Sequence, residues 1–338
     1  MATHIARWDL DKTYLRTDFD TLRDLVRTAF ERPEQKRTNP GASTLLREMV
    51  RAGVQVHILS GSPEQMRRRL EDKLRLDGVR WDTLTLKPNL RNLLRLRFRA
   101  VRDQLGYKLP ALLRARVMAT ESGEVGAGCR ETLFGDDAEA DAYVYSLYAD
   151  VVAGRVDQDV LMRVLERGRL YEDVVVAAMT AVRTLEPTDA VERILIHLEQ
   201  QTPPGDFRAY GPRIVPFYNY LQAAFVLFED GRLGAEAVLR VAVELTTVHR
   251  FDGDALARSY LDLARRGHLR GTSTEPMKQA LEDSFAQPAL PATGELGVMV
   301  ERLPWMADVA RSMWRSEPQG VPDYLKLVSG HNPRTRHG

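Results

Sequence analysis

The first part of the chain alternates short apolar runs with amphipathic stretches, the rhythm of βαβ units wound into a parallel sheet. Strands are predicted at His4–Asp9, Val54–Ser60, Thr83–Leu86 and Glu131–Phe134. A helix is predicted over Leu22–Phe30, then a polar turn at Arg37–Asn39 running into Pro40-Gly41-Ala42. Ser43–Ala52 carries apolar residues at helical spacing and stops at Gly53, a suitable C-terminal cap.

From about Val156 the apolar positions fall at helical spacing and strand-like alternation disappears. Helices are predicted at Gln158–Glu166, Tyr171–Arg183, Asp189–Gln200, Tyr218–Glu229, Ala235–Thr247, Asp254–Arg265 and Glu275–Phe285. Thr202-Pro203-Pro204-Gly205 and Pro288–Gly294 read as breaks, and Asn332–Gly338 as a frayed polar tail. No repeat of constant period points to a solenoid. The pattern divides the chain into residues 1–155, with an α/β core, and 156–338, read as all-helical.

The 338 residues are enough for two units of ordinary size. With 44% hydrophobic and 28% charged residues, and no apolar run of about 18, the chain is not expected to cross a membrane. Its first residues read straight into a strand without an apolar leader core, so a cytoplasmic location, with peripheral membrane contact allowed, is the expectation. One cysteine, Cys129, excludes an intrachain disulfide and is expected in the core. A net charge of +1 gives no global field for a polyanion.

Candidate chemistry begins at Trp8-Asp9-Leu10-Asp11-Lys12-Thr13, where two carboxylates leave the first strand at the ligand-binding edge of a parallel sheet. One can attack phosphorus while the other serves the leaving oxygen and then water. The plainer alternative is an acidic strand end. Leu59-Ser60-Gly61-Ser62-Pro63 ends the second strand, where the Ser60 hydroxyl and the backbone N–H groups of a helix start, around Gly61, can hold a phosphoryl oxygen. Ser62 before Pro63 fits a simple helix cap. Gly106-Tyr107-Lys108-Leu109 places an ammonium at the head of an apolar helix, suited to neutralising a phosphate. Gly135-Asp136-Asp137-Ala138-Glu139-Ala140-Asp141 ends a later strand in acids able to complete a magnesium site, or simply to favour the next helix N-terminus.

These four motifs, in this order, resemble those of the haloacid dehalogenase superfamily. More narrowly, residues 9–13, Pro40-Gly41, 60–63, Tyr107-Lys108-Leu109, 135–141 and Tyr145 resemble the phosphatidate phosphatase catalytic domain of fungal actin-patch proteins and their bacterial relatives, over about residues 4–156. The resemblance implies a three-layer αβα Rossmann-like core with a parallel sheet, and the short stretches between the first and second and between the second and third motifs are not expected to form a large cap. It implies Asp9 as nucleophile and Asp11 as acid/base, with Ser60 and Lys108 as phosphate and charge-balancing groups. Thr13 and Gly61, within the matched motifs, join the substrate-binding set. Mg²⁺ would be held by Asp9, Asp136 and the backbone carbonyl of Asp11; Asp141 matches a second acidic position. Lys12 departs from the pattern, standing where relatives carry Gly or Asp.

The implied activity is phosphomonoester hydrolysis through an aspartyl-phosphate, with phosphatidate-like lipid phosphate as leading substrate. Nucleic-acid ends, nucleotides and phosphoproteins remain alternatives, as does a non-catalytic scaffold built on the same fold. Arg91, Arg95, Arg97, Arg99 and Arg102, interleaved with Leu93, Leu94, Leu96, Phe98 and Val101, fit either an anionic lipid surface or a helix turning arginines to solvent. No nucleic-acid module is recognised. His57 and His249 lack metal-ligand partners at local spacing and read as structural. Trp305, Met306, Met313 and Trp314 read as core faces of a terminal helix.

Overall fold

The computed structural model describes residues 4–16, 36–87, 101–123, 126, 128–286, 294–315 and 320–330. The helix expected at Leu22–Phe30, the arginines from Arg91 to Arg99, most of the break before Gly294 and the polar tail lie outside them. The element order is β1 (His4–Trp8), β2 (Leu15–Arg16), β3 (Arg37–Thr38), α1 (Ala42–Arg51), β4 (Gln55–Pro63), α2 (Arg67–Leu76), β5 (Thr83–Lys87), α3 (Val101–Glu121), β6 (Arg130–Asp136) and α4 (Asp141–Val152). It continues with α5 (Gln158–Arg167), α6 (Glu172–Thr184), β7 (Val191–His197), β8 (Ile214–Phe217), α7 (Tyr220–Glu229), α8 (Ala235–Thr247), α9 (Gly253–Arg265), α10 (Glu275–Ala286), α11 (Gly294–Met313) and α12 (Tyr324–Gly330).

Six strands form one sheet in the order β5-β4-β1-β6-β7-β8, every pair parallel. Successive strands are added outward on one side of β1 and then on the other, which puts a switch point between β1 and β6. Both faces of the sheet are buried. Val56, Ile58, Phe134, Leu195 and Phe217 join one core with α1, α2 and α7 to α11. Leu59, Leu133, Ile194, Ile196 and Ile214 join another with α3 to α6 and α12. Adjacent residues of a strand thus enter opposite cores, as a pleat requires. The three-layer αβα expectation holds at this level.

Local sequence explains the helices that flank the site. In α1 the buried Ala42, Leu45, Leu46 and Met49 recur at helical spacing, each larger side chain contributing roughly 1.5–3 kcal/mol on burial. The helix stops because Gly53 takes a φ of 80° and returns its N–H to Val50. Polar groups are also buried on the α3/α4 side. Arg7 of β1 reaches Glu131 of β6 through two hydrogen bonds of 2.7 and 3.0 Å, and Arg116 and Tyr148 close on the same carboxylate at 2.9 Å each.

The expected helix at Asp189–Gln200 is not formed. Val191–His197 is a strand, and with β8 it extends the sheet past the expected boundary at 155/156, so residues 156–338 are not all-helical. Val191, Ile194, Leu195 and Leu198 sit at helical spacing, but the segment is flanked by β6 and β8 and buried on both sheet faces, where alternation is lost. β8 has four residues with Pro216 inside, and as the outermost strand it needs no N–H there. Trp305 was expected in the core, but it is 57% exposed on α11 while Met306 is buried. No helix among the described residues is long and apolar enough to cross a membrane.

Candidate active site

β1 ends at Trp8, yet the Asp9 N–H still donates to the Phe134 carbonyl at 3.0 Å, so the ladder carries Asp9 to the switch point. The Trp8 ring stacks on Phe134 with centroids 4.0 Å apart, and Tyr220 lies beyond at 5.9 Å. The chain then coils sharply. The Leu10 carbonyl accepts from Tyr14 and Leu15 at 3.0 and 2.8 Å, and Lys12 is forced to a φ of 63°. That left-handed conformation is one that Gly, Asn or Asp adopts at less cost than Lys.

The coil is pinned from elements distant in sequence. Asn39 Nδ2 donates to the carbonyls of Lys12 and Thr13 at 3.1 and 2.7 Å. Tyr220 donates its hydroxyl to the Thr13 carbonyl at 2.5 Å, and His197 Nδ1 donates to that of Lys12 at 3.3 Å. A carbonyl can only accept, so the His197 proton sits on Nδ1. Burial holds this imidazole below its ordinary pKa, partly opposed by the same hydrogen bond.

Asp9, Thr13, Lys108, Asp136 and Asp141 are all buried and converge. Thr13 Oγ1 lies 3.2 Å from Asp9 Oδ2 and 3.3 Å from Asp136 Oδ2. Lys108 Nζ is 3.0 Å from Asp9 Oδ1, 3.1 Å from Glu139 Oε2, and makes its shortest contact to Asp141 Oδ1. Its approach to Asp9 is an ion-pair contact out of line for a hydrogen bond. Asp136 Oδ1 accepts the Ala138 and Glu139 N–H groups at 2.7 and 3.0 Å, and its own N–H donates to Asp141 Oδ2 at 3.2 Å.

Asp11 stands on the β4 side of this cluster. Its Oδ2 accepts from Ser60 Oγ at 2.9 Å and from Ser62 Oγ at 2.8 Å, while the Ser62 N–H donates to Ser60 Oγ at 3.0 Å. The strand register explains this pair. Leu59 pairs with Thr85 and Pro63 with Lys87, so β4 spends two more residues than β5 over the same interval. The excess bulges, and Ser60 and Ser62, on the same side of Gly61, turn toward Asp11. Gly61 itself contacts nothing that a β-carbon would meet within 4 Å.

Electrostatically the site is overloaded with acid. Burial pushes the Asp9 carboxyl well above its usual range; Lys108 pulls it down, and Asp141, Glu139 and Asp136 push it further up. Burial first, then Asp141 and Glu139, do the same to Asp136. Burial works against the Lys108 charge, but Asp141, Asp9 and Glu139 hold its pKa well above normal. One ammonium thus faces Asp9, Glu139 and Asp141, with Asp136 adjoining. The donor oxygens of Asp9, Asp136 and Asp141 lie within 4.8 Å of one another. A hard divalent cation fits an all-carboxylate set of this kind and would offset its charge.

The structure therefore brings Asp9, Thr13, Lys108 and Asp136 into one cluster, with Asp11 and Ser60 joined beside it. Three local expectations change. Lys108 is in the third turn of α3, not at a helix head, and the helix runs on through Pro110. Ser62 caps no helix: β4 continues to Pro63, and no side chain caps the short 3₁₀ turn at Glu64–Met66. The residues around Gly61 are strand, not helix start. Asp137 faces away, accepting the N–H groups of Gln200 and Thr202 at 2.8 and 2.9 Å.

Sequence reading overlooked Glu139 as a Lys108 partner, and His197, Asn39 and Tyr220 as anchors of the Asp9 coil. It also overlooked Lys87, buried at the end of β5 with its ammonium 5.2 Å from the Tyr107 ring centroid. A strand-end position was the available signal for Lys87 and His197. Cys129 is buried as expected; His57 Nδ1 meets Thr83 Oγ1 at 3.0 Å, and His249 Nε2 lies 3.6 Å from Glu244. No protein-family profile, curated protein or solved structure matches this chain.

Proposed function

We propose that this protein is a divalent-metal-dependent phosphomonoester hydrolase of the haloacid dehalogenase type, with Asp9 as nucleophile and Asp11 as general acid/base. The observation that carries the reading is the meeting of Asp9, Lys108 and Asp136, from three separate elements, at the switch point of the parallel sheet, with Asp11 and Ser60 hydrogen-bonded beside them. In open α/β sheets the crevice at that edge is where ligands bind.

In this reading an Asp9 oxygen attacks the phosphorus as the bond to the leaving oxygen breaks, and Asp11 gives that oxygen a proton. An aspartyl-phosphate results. Asp11, now a carboxylate, takes a proton from water; the water oxygen attacks phosphorus, the Asp9–phosphorus bond breaks, and phosphate departs. Lys108 balances the negative charge gathering at Asp9 and the phosphoryl group. Ser60 exchanges Asp11 for a phosphoryl oxygen when substrate arrives, with Thr13 and the Gly61 backbone nearby. Asp141 and Glu139 keep Lys108 in place.

Mg²⁺, held by Asp9, Asp136 and the Asp11 carbonyl, would supply positive charge to the phosphoryl oxygens and relieve the carboxylate repulsion. The substrate class taken from the resemblance is a phosphatidate-like lipid phosphate at a membrane surface. The test is magnesium-dependent phosphate release by wild type and Asp9→Asn, on vesicle-borne phosphatidate and on soluble nucleotide, nucleic-acid-end and phosphoprotein substrates. Activity confined to the wild type is expected. Full activity in Asp9→Asn, or none in the wild type on any class, overturns the reading.

A further inference from the structure

At the opposite edge of the sheet, where β6, β7 and β8 begin, lies a cavity of about 410 Å³. Arg130 on its wall and Asp136 stand at the two ends of the seven-residue β6, about 20 Å apart. It is therefore distinct from the acidic cluster. Its walls carry Arg130, Arg193, Arg213, Arg270 and Arg315 against Asp189, Glu192 and Asp230. Five cations against three anions leave two positive charges in excess.

The pairing inside the cavity shows which cations are surplus. Arg193 occupies both oxygens of Asp230, at 2.7 and 2.9 Å. Asp189 is shared by Arg213 and Arg155, and Glu192 takes both donors of Arg232. Every carboxylate of the cavity thus has its own guanidinium already. Arg270 reaches Asp230 only at 3.4 Å, and Arg130, which donates to the Asp189 backbone carbonyl, comes no nearer a carboxylate than 3.8 Å, at Glu192. Arg315 meets only backbone carbonyls, of Ser312 and Trp314, at 2.9 Å each among the described residues. Behind them Arg213 Nη1 is shut off from solvent, 3.8 Å from Asp150 and without a hydrogen bond. His4, beside Glu192, does not contribute, because burial lowers its pKa to about 4 and keeps it neutral.

The wall also carries Trp314, with the Arg270 guanidinium 5.5 Å from its ring centroid. A guanidinium laid on an indole keeps its edge donors free and presents them as a planar fork, the geometry that matches phosphate oxygens. An ordinary solvated ion-pair surface would be balanced and convex. This one is concave, in positive excess and aromatic-backed.

We propose that this cavity is a second anion site, binding an oligophosphate group through Arg130, Arg270 and Arg315 above Trp314. The chain of phosphates is either inorganic or carried by a nucleoside; the shared chemistry is two or more adjacent phosphates, more charge than one surplus arginine can meet. The inference does not rest on the phosphatase reading.

The test is calorimetric titration of the full-length chain in EDTA with inorganic triphosphate and, separately, with ATP. Saturable, salt-weakened binding is expected. Affinity should fall roughly tenfold or more in Arg270→Ala/Arg315→Ala, all exposed positions, and in Arg130→Gln on a different element, but not in Asp9→Asn. Tighter binding of ATP, with Trp314→Leu erasing only the difference, assigns a nucleoside-borne ligand; equal binding assigns the bare phosphate chain. No saturable binding of either probe up to about 1 mM, unchanged affinity in both arginine variants, or loss of binding in Asp9→Asn overturns the proposal.

Discussion

Asp141 occupies the space that Gly135 leaves empty: its Oδ2 and Cβ lie 2.5 Å from the point where a β-carbon on Gly135 would stand. The same carboxylate anchors Lys108 and accepts the Asp136 N–H. A single missing methyl group therefore sets the position of the ammonium and of the acidic strand end together. Gly135→Ala is expected to displace Asp141, to cost about 1–3 kcal/mol of stability, and to lower phosphate release roughly a hundredfold. Denaturant unfolding and turnover measured on the same preparation check this; wild-type values for both would show that the close approach is not required.

Crowded buried carboxylates should make the protein respond to cations before any substrate is present. Mg²⁺ is expected to raise Tm in the wild type, and EDTA to reverse the gain, because an ion bound only by the folded state stabilises it by mass action. Asp136→Asn removes one donor and should abolish the rise. Equal rises in the wild type and Asp136→Asn would place the ion elsewhere.

Two hydroxyls on one Asp11 oxygen predict separable effects. Among the described residues the Ser62 hydroxyl hydrogen-bonds to Asp11, so Ser62→Ala should lower kcat by about tenfold with KM little changed, in line with loss of one positioning hydrogen bond. Ser60→Ala should change KM as well, since in the proposed mechanism that hydroxyl moves to the phosphoryl group. Identical kinetic signatures for the two variants would contradict this division of labour.

The polar core on the other face is a stability element. Glu131 is fully buried between Arg7 and Arg116, and although burial opposes its charge, Arg7, Arg116 and the Tyr148 hydroxyl hold its pKa down to about 2. Glu131→Gln should cost about 3–5 kcal/mol, because two guanidinium groups lose their counterion in the interior. The depressed value means that this stabilisation is complete above pH 4.5 and disappears as pH falls toward 2. Unfolding free energies measured across that window should converge for wild type and variant at the acid end; a constant gap would refute the linkage.

A second pH window comes from histidine. Burial is the main cause that lowers His4 and His57 to about 4 and His268 to about 3. Each ring takes up a proton more readily in the unfolded chain, so Tm should begin to fall below pH 6.5 and keep falling to about pH 4. His57→Gln should flatten part of that slope. An unchanged slope would mean that other groups carry it.

Legibility in the sequence followed burial geometry. β1, β4, β5 and β6 were visible because each apolar run is bounded by polar or turn residues, and the acidic pair and the later acids fall at strand ends, whereas Ser60 lies inside β4. β7 was hidden because Val191, Ile194, Leu195 and Leu198 imitate a helical stripe, and a strand covered on both faces has no alternation to betray it. β8 was hidden by its four-residue length and by Pro216. In the site, the meeting of Asp9 and Asp136 could be anticipated from their positions at neighbouring strand ends. Glu139, Asn39, His197 and Tyr220 could not, because their contacts with Lys108, Lys12 and Thr13 depend on which strand lies beside which.

The placement of β7 has an evolutionary consequence. Residues 1–155 contain every motif of the acidic cluster, yet a copy of them inserted into another gene would present β6 as a raw strand edge and would lack His197 and Tyr220 to hold the coil after Asp9. The smallest transplantable unit therefore reaches at least to Tyr220. Recombination that cut between the last motif and β7 would separate the acidic cluster from the residues that hold the coil after Asp9.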